Sequence, residues 1–321
     1  MKKVTIVILT KNAEKYIRQT LQKIVSQTTN NPYEILIIDS GSKDKTKDII
    51  SSFPVRLHEI QSKKFDHSKT RNLACSLAKG EYVVYLTQDA TPKDSLWLQK
   101  LLDGFTKSTN VAGVFSRHVP RKDCNPILAH QITHVWPIGS TKRHIKKVTS
   151  LKDFKQNITS YVYFSDTSSC IKKSILKKYP FPQVAFGEDA AWEKMILEKG
   201  YTTIFEPESQ VLHSHSYPIM EQFRQHYDHV KGMKRIFFST TKNNQGYSSV
   251  LRIPYVLLED YRYLKTKNYT FLQLLHWTLF AARWHGAAHV GSILGANSAN
   301  LPKWVDDFLS RQGGIKKGRY K

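Results

Sequence analysis

Along the first 90 residues, short apolar runs alternate with longer stretches of helical period. Residues 4–9 form a β-branched apolar run, and Ile17, Leu21, Ile24 and Val25 then fall on one face of a helix. Residues 34–38 are almost wholly apolar and end at Asp39. A charged helix follows Gly41, and residues 55–60 read as a short strand. Leu73, Ala74, Leu77 and Ala78 mark a helix over 68–78, Gly80 punctuates, and residues 82–86 make another strand of fully buried type. Short apolar strands separated by helices of about 10–15 residues predict βαβ units and a parallel sheet. In such sheets ligands sit beyond the carboxyl ends of the strands, so the residues just after each strand are read first for chemistry.

The pattern loosens over residues 118–160, where Pro120, Pro126 and Pro137 interrupt it, and this stretch reads as an insertion near a functional site. The α/β character returns from Ser165, with a helix over 190–199 and strands over 201–205 and 210–213. Beyond residue 216 aromatic, Arg-rich helical stretches take over. The expected division is an α/β domain over 1–215, its regular βαβ portion spanning 1–117 and its less regular portion spanning 118–215. A basic helical region over 216–321 follows. Residues 271–296 are the longest apolar-leaning stretch, but His276, Arg283, His285 and His289 break it. A central Arg is costly in a bilayer. The stretch therefore predicts a packed helix, or one lying at a membrane surface with Trp277 and Trp284 as anchors. Residues 313–321, GGIKKGRYK, read as a basic flexible tail.

Charge changes this picture. Forty-nine Lys and Arg stand against 26 Asp and Glu, a formal net charge of +23 over 321 residues, and residues 216–321 hold 16 basic against 6 acidic. Such a surplus favours an anionic partner: nucleic acid, an anionic bilayer or a phosphorylated substrate. No zinc finger, RNA-binding signature or helix-turn-helix pattern accompanies it, which sets nucleic acid aside. Cys75, Cys124 and Cys170 are widely spaced and form no CxxC pair, so neither a disulfide framework nor a zinc ribbon is expected and a reducing cytosol fits. The opening MKKVTIVILT turns polar at Lys11 and Asn12, too soon for an export signal or a span.

Four constellations follow the strands. Asp39-Ser40-Gly41-Ser42-Lys43-Asp44 places a carboxylate at the sheet's functional edge and offers turn N–H groups, although Ser42 or Asp44 would also serve as a plain helix cap. Thr87-Gln88-Asp89-Ala90 offers a carboxylate for Mg²⁺ or Mn²⁺, which one carboxylate holds when substrate phosphates supply other ligands. Phe186-Gly187-Glu188-Asp189 opens a helix, where acidic residues suit the dipole and one carboxylate serves as a general base. His213 and His215, two apart at a strand end, share a face and suit a metal or a phosphate. A fifth segment, residues 63–72, is basic and opens a helix. Its Arg71 and Asn72 are candidates for an anionic diphosphate.

In this order the residues resemble family 2 of the GT-A glycosyltransferases. The opening through Thr10, Lys11 and Asn12 and the Asp39-Ser-Gly-Ser segment look like the family's nucleotide-binding start. Phe65-Asp66-His67-Ser68-Lys69-Thr70-Arg71-Asn72 and Leu86-Thr87-Gln88-Asp89-Ala90 are similar to a bacterial rhamnosyltransferase branch, with Asp66 and Ser68 where that branch usually shows Asn and Gly. The resemblance implies a Rossmann-like nucleotide-diphospho-sugar transferase fold with a helical C-terminal extension. It implies donor contacts from Thr10, Asp39, Arg71, Asn72 and Gln88, metal ligation by Asp89, His213 and His215, and Asp189 as the base. The expected reaction is inverting transfer of L-rhamnose from dTDP-rhamnose, with Mg²⁺ or Mn²⁺, to a saccharide or lipid-pyrophosphate-linked saccharide. The alternative is a UDP-hexose or UDP-GlcNAc donor on the same fold. The implied location is the cytoplasmic face of an anionic membrane.

Overall fold

Nine strands form one sheet in the computed structural model, which describes residues 3–237 and 252–311. The strands are β1 (Val4–Thr10), β2 (Tyr33–Asp39), β3 (Arg56–Glu59), β4 (Tyr82–Thr87), β5 (Thr91–Pro92), β6 (Val111–Val119), β7 (His144–Lys146), β8 (Ser168–Lys172) and β9 (Thr202–Leu212). Their spatial order is β3-β2-β1-β4-β8-β6-β9-β5, with β7 on β9. Helices α1 (Ile17–Val25), α2 (Thr46–Ser51), α3 (His67–Leu77) and α4 (Trp97–Asp103) accompany the first strands. Then come α5 (Pro126–His130), α6 (Leu151–Gln156), α7 (Ile158–Tyr161), α8 (Lys173–Lys178) and α9 (Glu188–Glu198). The last four are α10 (Ile219–Phe237), α11 (Arg252–Lys265), α12 (Phe271–Ala296) and α13 (Lys303–Leu309). The expected basic tail over 313–321 lies outside the described residues.

Alternate residues of β1 enter two apolar layers. Ile6 and Ile8 join Leu21, Trp97 and Leu98 on one face, and Val7 joins Leu36, Tyr85 and Trp192 on the other. Burial on both faces is why these strands read as unbroken apolar runs. β3, β2, β1 and β4 are parallel, as the βαβ pattern predicts. The rest is mixed: β8 lies antiparallel between β4 and β6. An apolar run reports burial but carries no direction, so this reversal leaves no mark in the sequence. The expected strands at 201–205 and 210–213 are one strand, β9. Its register on β6 jumps from Ser116↔Glu206 to Arg117↔Gln210, because Pro207 has no N–H to give the ladder and the strand bulges there.

The chain divides into two compact units. The first comprises Met1–Arg121, Ile132–Val184 and Glu188–Ser214, and the second Lys122–Gln131, Ala185–Gly187 and residues from His215 onward. In the first unit the irregular insertion is fastened by Lys146. Its side chain is 5 % exposed, and its ammonium lies 2.5 Å from Glu193 Oε1 and 3.7 Å from the centre of the Tyr163 ring. Glu193 also accepts from the backbone N–H groups of Tyr163 and Phe164, each at 2.8 Å, and from Thr203 Oγ1 at 2.6 Å. Burial pushes the Lys146 ammonium down to about 8.

In the second unit Asp260 is fully buried and holds three partners. His130 Nδ1 lies 2.5 Å away, His285 Nε2 2.6 Å and Gln131 Nε2 3.1 Å. Burial alone would raise the Asp260 carboxyl, but the hydrogen bonds from His130 and His285 hold it below its ordinary range. α10 and α12 pack closely because Gly291 and Gly295 let the carbonyls of Phe223 and Tyr227 approach, where any Cβ would collide. The predicted helix over 271–296 is α12 from end to end. No helix among the described residues is long and apolar enough to cross a membrane.

The Glu193 hub yields a test. Glu193→Gln strands the buried Lys146 charge and is expected to destabilise the fold by about 3 kcal/mol or more. Lys146→Met leaves Glu193 with its three other donors and costs less. Urea unfolding of both variants at pH 7 measures the order, and equal losses would remove Glu193 from its place as the hub.

Candidate active site

The parallel half of the sheet aligns three carboxyl ends. Thr10 pairs with Asp39 across β1 and β2, and Leu9 pairs with Thr87 across β1 and β4. β2 and β3 lie to one side of β1 and β4 to the other, so the edge at Thr10, Asp39 and Gln88 is a topological switch point.

Asp39 is not the exposed carboxylate the sequence predicts. It is fully buried: Oδ1 accepts from the N–H groups of Gly41 and Ser42 at 2.9 and 2.8 Å, and Oδ2 accepts from Thr10 Oγ1 at 2.9 Å and Ser42 Oγ at 2.5 Å. The carboxylate is spent on folding a tight turn over Ser40–Ser42, in which Gly41 takes φ 81°, a conformation that suits glycine. Lys11 fastens the same turn, its Nζ donating to Ser40 O, Gly41 O and Ser62 Oγ at 2.9, 2.9 and 2.7 Å. Gln88 pins the start of that segment, accepting from Lys11 N at 2.8 Å and donating to Lys11 O at 3.2 Å. Asn72 forms a two-bond clasp with the backbone of Phe181, both contacts at 3.0 Å.

Arg71, expected to reach a diphosphate, is buried and paired inside the protein. Its Nε lies 3.1 Å from Asp166 Oδ2, and its Nη1 makes a short contact with Glu188 Oε1. Tyr85 Oη donates to its carbonyl at 2.9 Å. Asp189, in the first turn of α9, is half-buried. Its Oδ1 accepts from Ala190 N at 2.8 Å and its Oδ2 from Asp166 N at 3.2 Å. Three carboxylates thus crowd one guanidinium. Burial, then the charges of Glu188 and Asp166, push Asp189 up to about 7, and burial pushes Asp166 up to about 6. Asp166 escapes sequence reading because a lone Asp between Ser165 and Thr167 looks like a turn residue. Its role arises only when β8 brings it beneath α9.

The second centre is made by strand pairing. β5 lies two residues beyond Asp89 and pairs antiparallel with the end of β9, Thr91 opposite Leu212. That pairing sets His213 Nε2 3.6 Å from Asp89 Oδ1. Two ligand atoms each ~2.1 Å from one octahedral ion lie about 3 to 4 Å apart, so this pair fits a shared cation. Arg121, also unnoticed in the sequence, braces the pair. Its Nη2 donates to the Asp89 carbonyl at 2.6 Å and to Thr91 Oγ1 at 3.0 Å, its backbone N–H donates to Ser214 Oγ at 3.1 Å, and its guanidinium lies 4.3 Å from the centre of the Tyr16 ring. His118 stands against His213, ring centres 5.3 Å apart. His215 belongs to the second unit, where it stacks on Tyr217 at 5.1 Å. The two centres are neighbours: Thr87, two residues before Asp89, donates its N–H to the carbonyl of Thr167, the residue after Asp166, at 3.1 Å.

A family model, glycosyl transferase family 2, matches residues 5–179. The O-antigen chain rhamnosyltransferase RfbN of Salmonella typhimurium is 31% identical over 230 residues, 70% of this chain and 71% of that one. The O-antigen chain rhamnosyltransferase WbaN of Salmonella anatum is 31% identical over 203 residues, 62% of each chain. Among solved structures, the mannosyltransferase PcManGT of Pyrobaculum calidifontis, in complex with GDP-Man and Mn²⁺, aligns with a TM-score of 0.56 at 17% identity, covering 90% of this chain and 86% of that one. The chain belongs to glycosyl transferase family 2 and has the GT-A glycosyltransferase fold with a helical C-terminal region.

The raised Asp189 carboxyl has a consequence for stability. The folded protein holds a proton at Asp189 that the unfolded chain loses near pH 4, so folding is disfavoured progressively as pH rises from about 4 to 7. Asp189→Asn is therefore expected to stabilise the fold at pH 8, by an amount on the order of 2 kcal/mol. The gain should fade as pH falls to about 4. Denaturant melts across this range measure it, and a gain independent of pH would contradict the raised carboxyl.

Proposed function

We propose that this chain is an inverting, metal-dependent rhamnosyltransferase that takes L-rhamnose from dTDP-rhamnose and passes it to a saccharide or lipid-pyrophosphate-linked saccharide during cell-surface polysaccharide assembly. The observation that carries the reading is Asp189, a carboxylate poised near neutrality beside the segment bearing Asp89. A base matched to neutral pH is what removal of an acceptor hydroxyl proton requires. The donor assignment draws on the 31% identity to two O-antigen chain rhamnosyltransferases.

In this reading the acceptor oxygen attacks the anomeric carbon while its proton passes to Asp189. The bond from that carbon to the diphosphate oxygen breaks, its electron pair leaving with the diphosphate. Asp166 holds Asp189 through its N–H, and Arg71 pairs with Glu188 and Asp166 beside it. Asp89 and His213 would hold Mn²⁺ or Mg²⁺. Two residues of chain span at most about 7 Å, so His215 also has the reach for a further ligand. Imidazole donors favour Mn²⁺ over Mg²⁺. The bound cation supplies charge neutralisation to the departing diphosphate. Thr10, Asp39, Gln88 and Asn72 act by holding the cleft's backbone in shape, and the loops they brace frame the nucleotide. The enzyme works at the inner face of the cell membrane, as its basic surplus and a lipid-linked acceptor fit.

The test is nucleotide diphosphate release from a panel of dTDP-, UDP- and GDP-sugars with Mn²⁺ or Mg²⁺ and a rhamnan or lipid-linked saccharide acceptor. Release from dTDP-rhamnose is expected, falling at least ~100-fold in Asp89→Ala and in Asp189→Asn. Below pH 7 the wild-type rate should drop about tenfold per unit as Asp189 takes up its proton. Release from UDP-sugars alone would reject rhamnose and retain the fold, and a rate flat from pH 5 to 8 would reject Asp189 as the base.

A further inference from the structure

α12 is a helix with two apolar sides. Its inner side, Ala281, Trp284, Ala288, Gly291, Ser292 and Gly295, is buried in the second unit. Its outer side carries Phe271, Leu272, Leu275, Leu279, Val290 and Ile293, which are between 37% and 78% exposed. At about 100° per residue these six fall within a single arc of roughly 100°, four of them clustered over 271–279 and two more at 290 and 293, with Ala282 and Gly286 on the arc between. An exposed cluster of large apolar side chains such as Phe271, Leu272, Leu275 and Leu279 marks an interaction surface.

The charges beside the stripe identify its occupant. Immediately before α12, aromatic and basic residues alternate as Tyr261, Arg262, Tyr263, Lys265, Lys267 and Tyr269. Lys265 and Lys267 are exposed, their ammonium groups near the rings of Tyr261 and Tyr263. Arg283 lies exposed at the stripe's border. Of the two acidic residues over 252–283, Asp260 is fully buried between His130 and His285, which leaves Glu259 as the one acidic side chain of that stretch that reaches solvent. Aromatic and cationic side chains at the head of an apolar stripe match the layering of a bilayer interface, with rings and ammonium groups at the level of the headgroups. Arg283 and His276 on the outer side oppose passage across the bilayer and suit a helix lying in its plane.

We propose that the outer face of α12, headed by Lys265 and Lys267, is the surface by which the protein lies on an anionic bilayer, with Phe271, Leu272, Leu275 and Leu279 inserted at the headgroup–acyl boundary. This specifies the surface for the membrane-bound reading given above and rests on it. Two leucines carried from lipid to water lose affinity by roughly tenfold or more, and each lysine neutralised near the surface loses about fivefold.

The full-length protein is centrifuged with vesicles of phosphatidylcholine alone or mixed with phosphatidylglycerol, and its mass in solution is measured in parallel. Wild type is expected to pellet with the anionic vesicles as a monomer. Leu272→Asp/Leu279→Asp should lose this binding while keeping its thermal unfolding and its diphosphate release from soluble substrates. Lys265→Gln/Lys267→Gln should weaken it, most visibly at low salt. Undiminished pelleting of the Leu272→Asp/Leu279→Asp variant would overturn the α12 assignment and leave the membrane reading standing. A wild-type dimer that this variant dissociates would make a second copy the occupant. Wild type that neither pellets nor self-associates would overturn both readings.

Discussion

Three carboxylates, Asp166, Glu188 and Asp189, gather around the single guanidinium of Arg71, and the chemistry of the first unit depends on that imbalance. One positive charge satisfies two carboxylates at contact distance. The third, Asp189, keeps its proton to about pH 7 because burial and two like-charged neighbours outweigh Arg71. The first-turn position of Asp189 on α9 works the other way, since a helix N-terminus favours the anion. The balance of these opposed effects sets a carboxyl near neutrality. The cluster also ties α3, the approach to β8 and the start of α9 into one rigid group, so the features that tune the proton also fix its position.

The Asp89–His213 pair depends on strand pairing in the same way. β5 is only two residues long, yet its contact with β9 is what carries Asp89 to His213. Arg121 then braces both segments from behind, one Nη on the Asp89 carbonyl and its own backbone on Ser214. Neither centre is built on a single motif. Each joins residues roughly 100 positions apart in sequence, which the switch point and the antiparallel β8 bring to one edge of the sheet.

This explains what the sequence could and could not tell. The positions of Asp89, His213 and Asp189 stood out because each follows a strand or opens a helix, where a polar residue after an apolar run is conspicuous. Thr10, Asp39, Gln88 and Asn72 stood out as polar positions, but nothing local showed what their side chains hold. Their side chains are committed to the turn and clasps of the protein itself, and residue type alone does not distinguish a ligand contact from a backbone staple. Asp166 and Arg121 were invisible, since nothing local marks them. The direction of β8 and the continuity of β9 through Pro207 were likewise fixed by pairing across the sheet, and no window of sequence contains that.

The basic surplus has to be assigned by the same reasoning. The inward-facing cations of the first unit are already engaged: buried Arg71 with two carboxylates, buried Lys146 with Glu193 and two aromatic rings, half-buried Lys11 with two carbonyls of the Ser40–Ser42 turn and the Ser62 hydroxyl. Around Arg71 carboxylates outnumber cations. The net charge of +23 is therefore not expressed around Arg71, and its weight falls on exposed side chains such as Lys265, Lys267 and Arg283. Exposed lysines over aromatic rings gain little from one another. Their favourable partner is an extended anionic surface, where many weak attractions add and release counterions together. In the proposed reading the acceptor is anchored in lipid, which gives the protein a physical reason to carry its charge there, away from the reacting atoms.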